Sequence, residues 1–166
     1  VSKLSGCAFA ESTQGGSGLK TRVLIPIMVE SHVTAAPAAA FHRGHGTILV
    51  AEDSDPLRSY VRRALENLGY TVLAARGAEE AMFLFRRDPD HINLVITDVM
   101  MPGESGLQLY QRLHAMAPDL PVLFISGYTA ESLEREGLAP ADMPLLTKPF
   151  TVEELAGTVQ RLVKKD

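Results

Sequence analysis

This sequence of 166 residues has almost no cysteine and no tryptophan. Because Cys7 is the single cysteine, no intramolecular disulfide can form, and nothing requires an oxidising compartment. Long apolar runs are also lacking: the most hydrophobic one, at residues 23–29, contains Pro26, whereas a membrane-spanning helix needs roughly 20 apolar residues. We therefore expect a cytoplasmic chain without direct membrane insertion. A parent protein anchored in a membrane elsewhere is compatible with this expectation.

A surplus of positive charge is missing as well. Sixteen Lys and Arg face twenty Asp and Glu, which gives a formal net charge of −4 at pH 7. Such a chain has no broad basic field for binding nucleic acid, and the arginine pairs at 62–63 and 86–87 fall on predicted helix surfaces. We expect no nucleic-acid partner. The content of 46% hydrophobic and 22% charged residues favours one compact domain with some length to spare.

The composition changes along the chain at a low-complexity stretch, residues 34–40, which is typical of a linker. We predict a β-hairpin-like N-terminal extension at 1–33, a flexible linker at 34–46 and a domain at 47–166. In that domain, short β-branched runs alternate with amphipathic segments, which favours a parallel sheet with intervening helices. The predicted strands are 48–51, 71–74, 94–97, 122–125 and 145–147.

The ends of two helices can be predicted from capping signals. Asp55 is a plausible N-cap for the first helix, with Pro56 at the first helical position and Gly69 as the stop. The last helix opens with Thr151 and Glu154 in the spacing of a capping box.

Polar residues follow four of the five predicted strands. They are Glu52 and Asp53, then Asp98, Ser126 and Lys148. In an open parallel sheet, ligands gather outside the carboxyl ends of the strands, so we expect these side chains to lie together. Singly, each has an ordinary interpretation as a turn residue, a helix-start acid or a solvated charge. Jointly and in this order, such interpretations become improbable.

The chemistry of this set points to phosphorylation. Three converging carboxylates repel one another unless a cation lies between them, and oxygen ligands suit Mg²⁺. Aspartate can attack phosphorus to give an aspartyl phosphate. Lys148 could then neutralise charge on the transferring group, and Ser126 could donate a hydrogen bond to it. The residues therefore predict a Mg²⁺-dependent site for phosphoryl transfer to an aspartate.

Four ordered motifs resemble the signatures of response-regulator receiver domains, and the resemblance covers residues 47 to about 163. It implies that Asp98 is phosphorylated, that Glu52, Asp53, Asp98 and the Met100 backbone carbonyl bind Mg²⁺, and that two further residues sense the phosphoryl group. Those two are Ser126 and Lys148. The motifs are Ile48-Leu-Val-Ala-Glu-Asp53, Asp98-Val-Met-Met-Pro102-Gly-Glu-Ser-Gly106, Phe124-Ile-Ser-Gly127 and Lys148-Pro-Phe150.

The same resemblance implies a fold and partners. The fold is a flavodoxin-like, doubly wound parallel sheet of strand order 2-1-3-4-5 flanked by five helices, with a cis peptide at Lys148–Pro149. The implied phosphodonor or acceptor is a histidine kinase or a histidine phosphotransfer protein, and a homodimer is compatible with the family. The domain is not expected to be a stand-alone enzyme, although it catalyses its own phosphorylation and dephosphorylation.

Two features depart from the family pattern. Leu145 stands three residues before Lys148, where the family often has an aromatic switch residue. Met100 and Tyr128 stand at positions that flank the phosphoryl group in such domains. Because an apolar and a bulky side chain should hinder the attacking water, we hypothesise a long-lived phosphorylated state.

The N-terminal piece resembles the last strands of a histidine-kinase ATP-binding domain, through residues 4–12 and the glycine-rich turn and apolar strand at 15–26. An ordinary β-hairpin is the alternative. If the resemblance holds, the chain is the carboxyl end of a hybrid histidine kinase. We read His42 and His45 as solvated linker residues, since no partner ligands stand nearby in the sequence.

Two other classes compete with this interpretation. A haloacid-dehalogenase-type phosphatase also uses an aspartate nucleophile, and Asp53-Ser54-Asp55 fits its two-acid signature. That class needs a further acidic metal motif after the lysine, but the acids there stand at the start of the last helix. A degenerate receiver that only docks to a kinase is the other competitor, and the complete polar set speaks against it.

Overall fold

The structure, a computed structural model, describes residues 9–10, 21–22, 44–135 and 143–163. The chain divides into two compact units, Val1–Ala38 and Ala39–Asp166. In the first unit, strand β1 (Phe9–Ala10) pairs antiparallel with β2 (Thr21–Arg22), which agrees with the predicted hairpin-like extension. Cys7 and His42 lie outside the described residues. No helix in the described part of the chain has both the length and the hydrophobicity that a membrane span requires.

The second unit contains one five-stranded sheet in which every pairing is parallel. The strands are β3 (Thr47–Ala51), β4 (Thr71–Ala75), β5 (Ile92–Asp98), β6 (Val122–Ser126) and β7 (Leu145–Thr147). Their order in the sheet is β4-β3-β5-β6-β7, which confirms the predicted order 2-1-3-4-5. The helices are α1 (Asp55–Asn67), α2 (Ala78–Arg87), α3 (Gly106–Met116), α4 (Ala130–Arg135) and α5 (Val152–Leu162), with a 3₁₀ helix at Pro89–His91.

Helices cover both faces of the sheet. Because successive side chains of a strand point to opposite faces, each strand contributes to a buried cluster on either side. In β3, Ile48 and Val50 pack in a buried cluster with residues of α1 and α5. Leu49 and Ala51, between them in sequence, pack in a second cluster with residues of α2, α3 and α4. These two clusters make the fold a doubly wound, three-layered one and hold the sheet's carboxyl edge in place.

The start of α1 corrects one prediction. The N-cap is Ser54, not Asp55, and Pro56 therefore takes the second helical position. Ser54 has extended backbone but makes no capping hydrogen bond through its side chain. Its backbone N–H instead donates to the Glu52 carboxylate, so this helix start is organised around an acid of the strand end. The capping box of Thr151 and Glu154 at α5 is confirmed.

The residues just before β3 are attached to this unit. The Gly44 backbone N–H donates to the Leu68 carbonyl at 2.8 Å, and Gly46 accepts from the Thr71 N–H at 3.0 Å. Thr47 N–H donates to Oδ1 of Asn93, which also holds the start of β5 beside β3. His45 is exposed. The domain boundaries themselves stay a prediction.

Candidate metal centre

The register of the sheet brings the strand ends level with one another. Ala51 of β3 is paired with Thr97 of β5, so the next residues along the two strands, Glu52 and Asp98, are neighbours. Asp98 in turn is paired with Ile125 of β6, the residue before Ser126. A parallel sheet in this register therefore collects the predicted residues at one edge.

Three of these residues form an acidic cluster. One carboxylate oxygen from each of Glu52, Asp53 and Asp98 can be chosen so that all three lie within 4.8 Å of one another. Glu52 and Asp98 are only 2% and 8% exposed, whereas Asp53 is exposed. Hard carboxylate oxygens at this spacing suit a small divalent cation, and the open side at Asp53 leaves such a cation accessible to water.

Lys148 supplies positive charge to the same cluster. Its Nζ donates to Oδ2 of Asp98 at 2.5 Å and to Oε2 of Glu52 at 3.1 Å. Burial alone would lower the pKa of Lys148, but the hydrogen bonds and charges of Asp98 and Glu52 raise it above its usual value. Lys148 is therefore a cation at neutral pH. It stands at the residue after β7, and the Lys148–Pro149 peptide bond is cis, as the resemblance implied.

Glu52 is held in an environment that disfavours its charge. Burial raises the pKa of its carboxyl, and the neighbouring Asp98 carboxylate adds to this, while the Ser54 N–H and Lys148 act in the opposite direction. The net pKa lies above the usual 4.5. A cation placed among these oxygens would relieve that penalty, because an added positive charge favours the ionised form.

Asp98 is fixed by the loop that follows it. Its Oδ1 accepts a hydrogen bond from the Met100 N–H at 3.0 Å, and the Val99 carbonyl accepts from the Gly106 N–H. The first turn of α3 lies so close that a Cβ on Gly106 would stand 2.0 Å from the Asp98 carbonyl oxygen. The side chain of Asp98 thus has one oxygen on Lys148 and the other on a backbone donor.

Ser126 lies at the same edge, but its hydroxyl faces a different partner. The residue is 1% exposed, and its Oγ accepts from the Tyr128 N–H at 3.0 Å. Its backbone carbonyl accepts from the Lys148 N–H at 2.7 Å, which ties the ends of β6 and β7 together. Within the described residues, the hydroxyl is thus bonded to its own loop and not to the acidic cluster.

The departures from the family pattern are visible here. Met100 and Tyr128 are 52% and 50% exposed, on the two loops that also bond Asp98 and Ser126. Leu145 is half-buried in β7, where it is paired with Phe124 and packs against the core. This edge strand therefore carries an aliphatic side chain three residues before Lys148, where the resembling family often has an aromatic one.

Arg58 was missed by sequence reasoning. Its side chain is only 12% exposed, and Nη1 donates to the backbone carbonyls of Glu52 at 2.7 Å and of Asp53 at 3.3 Å. Nη2 donates to the Asp55 carboxylate. The signal available in the sequence was an arginine in the first turn of a helix, where a positive charge opposes the helix dipole and needs another explanation.

Comparisons with known proteins agree with this geometry. The sequence model of the response regulator receiver domain matches residues 48–160. The sensor kinase CckA of Brucella abortus is 30% identical over an alignment 175 residues long that covers 99% of this chain. The chain spans only 18% of that kinase's length.

Solved structures also resemble this chain, among them the following two. The receiver domain of a hybrid histidine kinase CckA is 34% identical, with a TM-score of 0.61, and the match covers 72% of this chain and all of that one. The response regulator TrrA of Thermotoga maritima, solved in complex with Mg²⁺ and BeF, is 27% identical with a TM-score of 0.62. That match covers 70% of this chain and 98% of the other.

Proposed function

The chain belongs to the response regulator receiver domain family, and we propose that it accepts a phosphoryl group on Asp98 in a Mg²⁺-dependent transfer from phosphohistidine. The observation that carries the proposal is the meeting of Asp98 with two further carboxylates and one ammonium group at the sheet edge. A nucleophile, a cation site and a fixed positive charge are what phosphoryl transfer to a carboxylate requires.

The metal would be held by the carboxylates of Glu52, Asp53 and Asp98 and by the backbone carbonyl of Met100. Bound there, Mg²⁺ would neutralise charge on the transferring phosphoryl group. The donor set supports this assignment, since it consists of hard oxygens and its negative charge is only partly balanced by Lys148. The magnesium complex of TrrA, a similar structure, is consistent with it.

In the transfer, a carboxylate oxygen of Asp98 forms the new O–P bond while the N–P bond of phosphohistidine breaks. The electron pair of that bond stays on the imidazole nitrogen. The ring leaves as neutral imidazole if its other nitrogen carries a proton, and otherwise it takes up one proton from water. Lys148, 2.5 Å from Asp98 Oδ2, would stabilise the added phosphoryl charge. No side chain needs to remove a proton from Asp98, because a carboxylate is already the nucleophile.

Ser126 and Lys148 would report the phosphorylated state. Lys148 bridges Asp98 and Glu52, so a phosphoryl group on Asp98 offers it a new partner. The Ser126 hydroxyl, which accepts from the Tyr128 N–H, has a proton of its own to donate to a phosphoryl oxygen. A change at either residue reaches β7 directly, because Lys148 follows that strand and its N–H bonds Ser126.

We further propose that the chain is part of a hybrid histidine kinase and contains its receiver domain. The predicted boundaries are an ATP-binding-domain remnant at 1–33, a linker at 34–46 and the receiver at 47–166. The alignment with the sensor kinase CckA supports this proposal, since it extends over 99% of the chain, beyond the receiver itself. A histidine kinase or a histidine phosphotransfer protein would then be the donor or acceptor, and a homodimer is compatible with the same proposal.

Transfer of labelled phosphoryl from a phosphorylated histidine phosphotransfer protein tests this function. We expect the label to move to the wild type in Mg²⁺ and to stay on the donor when a chelator is added. Asp98→Asn should remain unlabelled, while Asp90→Asn, an exposed acid of the 3₁₀ helix, should accept label like the wild type. Equal labelling of Asp98→Asn and wild type would count against the proposal.

A further inference from the structure

The side chain of Arg58 contacts backbone atoms of the loop that carries Glu52 and Asp53. It makes no hydrogen bond to the carboxylates of the candidate site. The guanidinium reaches back from the first turn of α1 to the carbonyl oxygens of Glu52 and Asp53, at 2.7 and 3.3 Å. It also bonds the Asp55 carboxylate, so one side chain joins three of the four residues at positions 52–55. Charged donors make the stronger kind of hydrogen bond, and this one is 12% exposed.

Few other hydrogen bonds hold the backbone of this loop. The Glu52 N–H is paired with the Ala75 carbonyl, and the Ser54 N–H with the Glu52 side chain. Within the described residues, Arg58 is the side chain that donates hydrogen bonds to the carbonyls of Glu52 and Asp53. Glu52 is only 2% exposed, and a buried carbonyl without a partner is costly, so loss of the guanidinium should let the Glu52 carbonyl turn toward water and shift the loop.

We propose that Arg58 is a positioning residue for Mg²⁺: it holds the loop of Glu52 and Asp53 in its metal-binding conformation before the metal arrives. The inference rests on the proposed function, since it assigns a role toward the same metal site. Two effects of Arg58 have opposite signs. Its positive charge disfavours a nearby cation. Its hydrogen bonds, in contrast, order the loop in advance, so metal binding does not have to meet that entropic cost. The number and charge-assisted character of the bonds indicate that ordering prevails.

The test compares the Mg²⁺ dependence of three variants with that of the wild type. Arg58→Met keeps the apolar stem but removes every donor, and Arg58→Lys keeps one charged donor. Arg62→Met is the matched control, because Arg62 lies on the same helix in an exposed pair with Glu66. Metal affinity is measured by titrating each protein with Mg²⁺ alone and following the backbone amide NMR signals. The initial rate of phosphorylation by acetyl phosphate is measured against Mg²⁺ concentration.

We expect Arg58→Met to need about tenfold more Mg²⁺ for half-saturation, the low end of the loss seen when groups that orient metal ligands are removed. The phosphorylation rate at saturating Mg²⁺ should stay near that of the wild type, because no reacting atom is touched. The Mg²⁺ concentration for half-saturation of Arg58→Lys should fall between those of the wild type and Arg58→Met. That of Arg62→Met should match the wild type.

Half-saturation of Arg58→Met equal to that of Arg62→Met would overturn the inference, and so would tighter binding, which would make charge repulsion the dominant effect. If Arg58→Met does not fold, Arg58→Lys decides, and an unchanged Mg²⁺ dependence in that variant overturns the inference. A wild type that neither binds Mg²⁺ nor becomes phosphorylated would instead contradict the proposed function itself.

Discussion

At the scale of single residues, the surroundings of Glu52 disfavour the ionised form of its carboxyl group. Its carboxylate is buried beside Asp98, and these two causes raise its pKa above 4.5 despite the neighbouring Lys148. The ionised form that a metal needs is therefore the form that the metal-free protein disfavours. Sites that bind strongly charged ligands commonly carry such a cost in stability.

Glu52→Gln should therefore stabilise the metal-free protein at pH 7 and raise its unfolding midpoint, because the variant has no charge to bury. A raised folded-state pKa means that the contribution of Glu52 to stability is fully present below pH 4.5 and is lost as pH rises through the folded value. The advantage of the variant should accordingly shrink as the pH falls from 7 toward 4.5. Thermal unfolding across this range measures it.

The control for this measurement is Glu66→Gln, which removes an exposed carboxylate from an exposed ion pair. It should leave the midpoint nearly unchanged at every pH. A Glu52→Gln variant less stable than wild type at pH 7 would show that the pairing with Lys148 outweighs the burial of the charge.

Met100 and Tyr128 give a second prediction at this scale. Both side chains are about half exposed on the loops that bond Asp98 and Ser126. Replacing them together by Asn and Glu should shorten the lifetime of phosphorylated Asp98 by at least about tenfold, since one positioned acid or base contributes on the order of 100-fold. The decay of intact-protein mass after removal of the phosphodonor measures the lifetime. An unchanged lifetime would remove the hypothesis of a shielded phosphoryl group.

At the scale of elements, the start of α3 is packed directly on the phosphoacceptor strand. Gly106 permits this, because any Cβ there would collide with the Asp98 carbonyl. The helix start also carries a capping box of Ser105 and Gln108, which fixes its first turn independently of that contact. The position of Asp98 therefore depends on where α3 begins.

Gly106→Ala should destabilise the protein by about 2 kcal/mol, within the usual cost of overpacking, and should lower the rate of Asp98 phosphorylation. Gly157→Ala in α5 is the matched control, because the nearest atom to its Cβ would be the flexible end of Arg161 at 3.8 Å. That change should stabilise by about 0.5–1 kcal/mol, since glycine is unfavourable inside a helix. Denaturant unfolding of both variants gives the comparison, and equal effects would contradict it.

Some element boundaries could be predicted from the sequence, and others depend on specific side-chain contacts. Strand β7 begins and ends where the β-branched and aliphatic run predicted it, at Leu145–Thr147. Strand β5 begins two residues before the predicted start, because Asn93, a poor strand former, is held there by its bond to Thr47. The N-cap of α1 was misplaced for a similar reason, since Ser54 is organised by Glu52 through a contact that local propensity does not contain.

At the scale of the whole molecule, the topology of the sheet explains why the site could be predicted. Parallel strands bring their carboxyl ends to one edge, so residues 46 positions apart, such as Glu52 and Asp98, become neighbours without any special device. Arg58 could not be predicted in this way. Its bonds to the metal-binding loop go to backbone carbonyls, which every residue has, so the sequence does not identify these partners.

The central claim is that Asp98 accepts a phosphoryl group, and intact-protein mass measurement after incubation with Mg²⁺ and acetyl phosphate tests it most directly. We predict that the wild type gains the mass of one phosphoryl group and that fragmentation places it on Asp98. Asp98→Asn should gain nothing under the same conditions. A wild type that stays unmodified, or a variant that is modified equally, would contradict the account.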